Sequence, residues 1–162
     1  MKYFRHMIAL GLSALVLTAL MTGCGSKSNK TAEFHKDTLT DGIVFETENG
    51  QKVRIQIDRK YELTGTSPFL VTLDGELQSQ GNFIDLHTYR QYVESLQEDP
   101  RADIVKQDCV KDGNEFIFWY YDDTDYNVAV HVGDTDTGIL LTNHVSGLSA
   151  NDVFESMVIS AE

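Results

Sequence analysis

Few residues in this chain have the types and spacing that chemistry requires. There are two cysteines, Cys24 and Cys109, and five histidines. His6 and His35 lie near the start, and His87, His131 and His144 are scattered. None stands at the His-x-His or His-x-x-x-His spacing that lets two imidazoles share one zinc ion. No Gly-x-Ser-x-Gly elbow presents a serine nucleophile, and "HVSGLS" reads as a strand-to-helix turn. No glycine-rich loop follows a strand and opens a helix, so a nucleotide phosphate has no cradle. Acidic residues are the better lead. "DDTDY" (Asp122, Asp123, Asp125) and "GDTDTG" (Asp134, Asp136) occupy the two ends of one expected strand. Asp134 and Asp136 have the alternating spacing that opens calcium loops, where carboxylates converge on one hard cation. Position twelve of such a loop is Val145 here, which cannot ligate, and Asp, Thr and Gly are also the residues of ordinary hairpin turns. The turn is the stronger reading. No metal or other cofactor is expected, and no catalytic residue is assigned.

Aromatic side chains point toward binding instead. Tyr89 and Tyr92 sit on one expected helix, and Phe116 to Tyr121 on one expected strand. Aromatic rings with polar tips line ligand grooves and protein interfaces. Tyr92 lies just off the apolar helix stripe and Tyr121 ends its strand beside Asp122. With Trp119, these two form the candidate ligand or partner surface.

Cys24 has a chemistry of its own. It closes a stretch that begins with basic Lys2 and Arg5 and continues as an apolar run from Ile8 to Met21. That run is shorter than the roughly 20 residues a spanning helix needs, and fits a secretory h-region. The seam "LMTGC", Leu20 to Cys24, resembles the lipobox of bacterial lipoproteins, with Gly23 at the small position before the cut and Met21 where Leu is commonest. The resemblance implies a signal peptide over 1–23, cleavage after Gly23, and lipid attachment at Cys24. A thiol takes a diacylglycerol as a thioether, and cleavage frees the α-amine for a further acyl chain such as palmitate. More than one chain gives stable anchoring where a single chain is marginal, at about 0.8 kcal/mol per buried methylene. Residues 24–38, polar and without apolar periodicity, read as a flexible tether. A lipidated Cys24 leaves Cys109 no partner in the chain, so Cys109 is expected as a partly buried, inert thiol.

The elements that must position the aromatic residues follow from periodicity. Around Asn49-Gly50 lie two extended runs, the second alternating Val53, Ile55 and Ile57 with polar residues. A second strand pair flanks Asp74-Gly75, with Gly81 as a possible bulge site. Leu86, Tyr89, Val93 and Leu96 recur at helical spacing, giving a helix over about 87–98 that stops at Asp99-Pro100. Four strands follow. "EFIFWYY" is apolar on both faces and belongs inside a sheet, while Tyr126, Val128, Val130 and Val132 alternate inward. "SANDVFESMVIS" reads as a closing helix capped by Ser149 or Asn151. The order ββββ–α–ββββ–α with short turns implies an α+β domain over 39–162, a single antiparallel β-sheet flanked by two helices. This element order and the closing "FESMVIS" resemble the PsbP/Mog1-like α/β sandwich. Small bacterial lipoproteins share that fold, and the resemblance implies a binding or accessory role.

Charge narrows the partners. The 13 basic residues face 25 acidic ones, and removing residues 1–23 leaves a net charge of −14. Such a surface repels nucleic acid, which is excluded as a partner. The chain is therefore expected to be a lipid-anchored protein on the extracytoplasmic face of the cell membrane. Its domain, not an enzyme, is expected to bind an envelope protein or a small ligand. The alternatives are a small envelope hydrolase with an unrecognised carboxylate site, or a structural subunit of an envelope complex.

Overall fold

A computed structural model of the chain describes residues 38–122 and 124–162. Its elements run β1 (Ile43–Glu46), β2 (Lys52–Ile57), β3 (Glu62–Gly65), β4 (Phe69–Leu73), β5 (Glu76–Asp85), α1 (Leu86–Glu98), β6 (Ala102–Lys111), β7 (Asn114–Tyr121), β8 (Asp125–His131), β9 (Thr137–Asn143), α2 (Gly147–Glu155) and β10 (Met157–Ala161). The signal peptide over 1–23 and nearly all of the tether over 24–38 lie outside the described residues.

The strands form two antiparallel sheets, not one. The smaller has the order β1-β2-β10, the larger β3-β4-β5-β9-β8-β7-β6. The expected single sheet flanked by two helices is thus corrected, among the described residues, to a mostly-β, two-sheet fold with two short helices. Two sequence readings produced the difference. "MVISA" was expected to continue the closing helix, because Val153, Phe154, Met157 and Val158 fit a helical stripe. The chain leaves the helix at Ser156 instead, and Met157 and Ile159 alternate inward while β10 pairs along β2 from Met157↔Ile57 to Ala161↔Val53. β-branched Val158 and Ile159 suit an extended backbone, and pairing supplies backbone partners that the end of a nine-residue helix lacks. The second reading missed β3, a polar edge strand with little apolar alternation.

Turn chemistry sets the local register. Asp74-Gly75 and Asp112-Gly113 both carry two consecutive positive φ values, 52° and 82° in the first and 52° and 83° in the second. They close two-residue hairpins, as a type I′ turn requires. Around Asn49-Gly50 the pairing Glu46↔Lys52 leaves a five-residue loop, in which only Gly50 is left-handed. Gly81 does not mark a bulge, since the register shift lies at Val71/Thr72. A Cβ at Gly81 would stand 1.9 Å from the Phe69 ring, so the glycine makes room for an aromatic side chain that is fully buried.

The large sheet has a core on each face. Val53, Ile55, Ile57, Met157 and Ile159 of the small sheet, with Val153 and Phe154 of α2, pack on Phe69, Phe116, Phe118, Val128, Val130 and Leu141. On the opposite face α1 alone packs Tyr89 and Leu96 on Ile117, Trp119 and Ala129. β7 is therefore covered on both sides, as its doubly apolar sequence required. Asn114, 4% exposed, ties the two sheets together: its Nδ2 donates to Ile159 O at 2.8 Å and its Oδ1 accepts from Gly133 N at 2.9 Å.

Candidate functional site

α1 is held at both ends by aspartates. Asp85, the N-cap, accepts from Thr88 N at 2.6 Å, and this bond keeps its carboxyl below the usual range. At the far end Asp99 binds the Arg101 guanidinium through 3.0 and 2.8 Å bonds, which lower its pKa to about 2. The helix runs in the same direction as β7. Tyr89 faces Ile117, Tyr92 meets Trp119, and Asp99 reaches Tyr121.

Tyr92, Trp119 and Tyr121, the expected binding residues, do gather in one cluster. The Tyr92 and Trp119 rings lie 6.0 Å apart, tilted by 31°. The Tyr121 hydroxyl donates to Asp99 Oδ2 at 3.5 Å, and the Arg101 guanidinium stacks 5.8 Å from its ring centre. Burial, then the charge of Asp99, raises the Tyr121 phenol. The three residues nevertheless play unequal parts. Trp119 is only 2% exposed, so it forms the floor, and its Nε1 is buried without a hydrogen-bond partner. Tyr92 and Tyr121 are half-buried, and with Asp99 and Arg101 they make the rim that solvent reaches.

The acidic turn is occupied with its own closure. Thr135 Oγ1 donates to Val132 O at 2.6 Å and accepts from Thr137 N at 3.1 Å. Asp136 O accepts from Leu86 N, which fixes the turn to the start of α1. The side chains of Asp134 and Asp136 are exposed. Among the described residues no three His, Cys, Asp or Glu side chains converge on a metal-sized point. His131 and His144, which could meet if the last strands paired, do not. β8 and β9 pair, but with His131 opposite Gly138 at one end and Tyr126 opposite Asn143 at the other, so the two histidines stand at opposite ends of the ladder. His131 Nε2 donates to Thr135 O at 2.7 Å. Cys109 is 1% exposed, more deeply buried than the expected partly buried side chain.

No protein-family model, curated protein or solved structure matches this chain. Function must therefore be argued from the residues. Among the described residues, no helix is long and apolar enough to cross a membrane.

Sequence reasoning missed a second feature of α1. Beside its first half, between the helix and the β6–β7 hairpin, lies a cavity of about 170 Å³ lined by Tyr89, Val93, Asp108, Glu115 and Ile117 among others. Tyr89 carried a signal as an aromatic on the helix stripe. Asp108 carried none, because a register shift between Lys106 and Cys109 places it, and a bulge leaves no reliable mark in a sequence, whereas Glu115 shares the Ile117 and Trp119 face of β7 by alternation.

Proposed function

We propose that the chain is a lipoprotein anchored through Cys24, displaying a non-catalytic binding domain on the extracytoplasmic face of a cell membrane. The observation that carries this reading is the seam Leu20–Cys24, where a basic start, a short apolar run, small residues and a cysteine coincide. The rim of Tyr92 and Tyr121 over the buried Trp119 supports binding of an envelope protein or small ligand there. Rigid aromatic anchors supply contact area at low entropic cost.

The anchor has a chemical consequence. A thioether at Cys24 uses the only other sulfur in the chain that could pair with Cys109. Lipidation and an intrachain disulfide therefore exclude each other. Mass spectrometry of the unreduced chain from producing cells is the test. The expected product begins at Cys24 with a diacylglycerol adduct, and Cys24→Ala accumulates uncleaved precursor. An unmodified Cys24 disulfide-linked to Cys109 in the cell overturns the anchor. A photo-crosslinker at position 92 should capture one species several-fold better than one at Leu148, which is 85% exposed on α2 in the opposite layer. Equal yields overturn the rim as the docking surface.

A further inference from the structure

We propose that an anionic lipid surface is the partner of the outer face of the small sheet. The anchored domain then lies with β1, β2 and the β2–β3 turn toward the bilayer and α1 away from it. The inference rests on the anchor at Cys24 and adds to it a face and a lipid charge.

Two independent observations meet on this face. The first is where the tether joins the domain. Thr38, Leu39 and Thr40 are tied to the end of β2: Arg59 N donates to Thr38 O at 2.9 Å, Arg59 Nε to Leu39 O at 3.1 Å, and Thr40 N to Ile57 O at 2.8 Å. The small sheet and α1 cover opposite faces of the large sheet, so the tether meets the domain on the side remote from the helix. The second is the division of charge. Residues 24–60 hold seven cations and six anions, a net charge of +1, whereas residues 61–162 hold four cations and nineteen anions, a net charge of −15.

Lys52 and Arg54 share the outer face of β2, because Val53, Ile55 and Ile57 point into the core. Val44, 40% exposed, stands beside them opposite Arg54. Lys52, Arg59 and Lys60 are exposed, and Arg54 pairs with Glu162. The α1 side presents exposed Asp85, Glu94, Glu98 and Glu115. An anionic bilayer attracts basic groups and repels acidic ones within a Debye length, about 8–10 Å. Turning the small sheet down and α1 up satisfies both tendencies. Glu46 and Glu162 keep the sheet face itself close to neutral, so lipid charge orients the domain while the anchor supplies the affinity. The Tyr92 rim is then left facing the aqueous side.

The test uses the lipidated chain purified from producing cells, with a fluorescent donor at Val44→Cys or Gln91→Cys and an acceptor on vesicle headgroups. Lipid occupies Cys24 and Cys109 is buried, so the introduced thiol takes the label. On phosphatidylglycerol vesicles at low salt, energy transfer from position 44 should exceed that from position 91 at least about twofold. Phosphatidylcholine vesicles, or about 1 M salt, where the Debye length is about 3 Å, should lower that ratio. Lys52→Glu/Lys60→Glu, at exposed positions that leave the core untouched, should lower it too, and Arg90→Glu should not. Flotation on phosphatidylcholine vesicles reads the anchor separately. A chain that does not float overturns the anchor and the orientation with it. A chain that floats but gives equal transfer from both positions, or a ratio indifferent to lipid charge and salt, overturns the orientation alone.

Discussion

One face of the seven-stranded sheet is closed by a second sheet and a helix, the other by α1 alone. Twenty buried residues fill the first interface and five the second. The first is almost wholly apolar and includes the Phe45, Phe69 and Phe83 rings at centroid separations of 5.3–5.9 Å. The second contains a tryptophan with an unpartnered N–H and a cavity at its edge. A 13-residue helix is narrower than the sheet it covers, so polar groups and empty space collect along its flanks. Stability should therefore reside on the first face and binding on the second.

The largest effect expected from that contrast is on the first face. Phe69→Ala should destabilise the fold by about 3–5 kcal/mol in urea unfolding, as large buried aromatics do. Gly81→Ala alone should cost about 1–3 kcal/mol through overpacking. The double variant should lose less than the sum, since the ring that a Cβ at position 81 would strike is gone. Strict additivity would mean that Gly81 serves the backbone and not the ring.

On the second face the expected effect depends on pH. An unfolded tyrosine titrates near 10 and Tyr89 near 12. Its contribution is complete below pH 10 and is lost as pH rises through 12, because only the unfolded chain then sheds the proton freely. Tyr89→Phe should remove up to roughly 2–3 kcal/mol of that alkaline decline. Urea midpoints at pH 9 and pH 11.5 check it, and parallel declines in both proteins would show the phenol to be hydrated.

Smallest is the effect of Trp119→Phe. The substitution leaves a modest void but relieves a buried N–H that has no partner, so the two changes should offset to within about 1 kcal/mol. Trp119→Ala should cost about 3–5 kcal/mol. Equal losses from both variants would reveal a partner for the indole nitrogen.

Much of the second face was legible in advance. Spacing located α1 to within one residue of its start, because Leu86, Tyr89, Val93 and Leu96 fit no extended pattern. The doubly apolar "EFIFWYY" placed β7 between two covered faces. The grouping of Tyr92, Trp119 and Tyr121 followed from these two elements, while the burial of Trp119 did not, because which ring becomes floor and which rim depends on how the helix lies across the strand. Illegible for another reason was Asp108, which a register shift in β6 brings to the cavity.

The sequence by itself determined the local elements: alternation in β2 and β8, left-handed Asp-Gly turns, the helical stripe of α1, and a cysteine at the end of a short apolar run. Each depends on residues within a few positions of one another, so each leaves a periodic or compositional mark. Only the tertiary structure decided that the last strand leaves α2 to pair with β2, that the chain builds two sheets, and that a phenol and two carboxylates share one cavity. Those outcomes turn on contacts between residues far apart in the chain, such as Ile159 with Ile55. The free energy of such pairings outweighs the local preference of a short segment like "MVISA", which fits helix and strand alike.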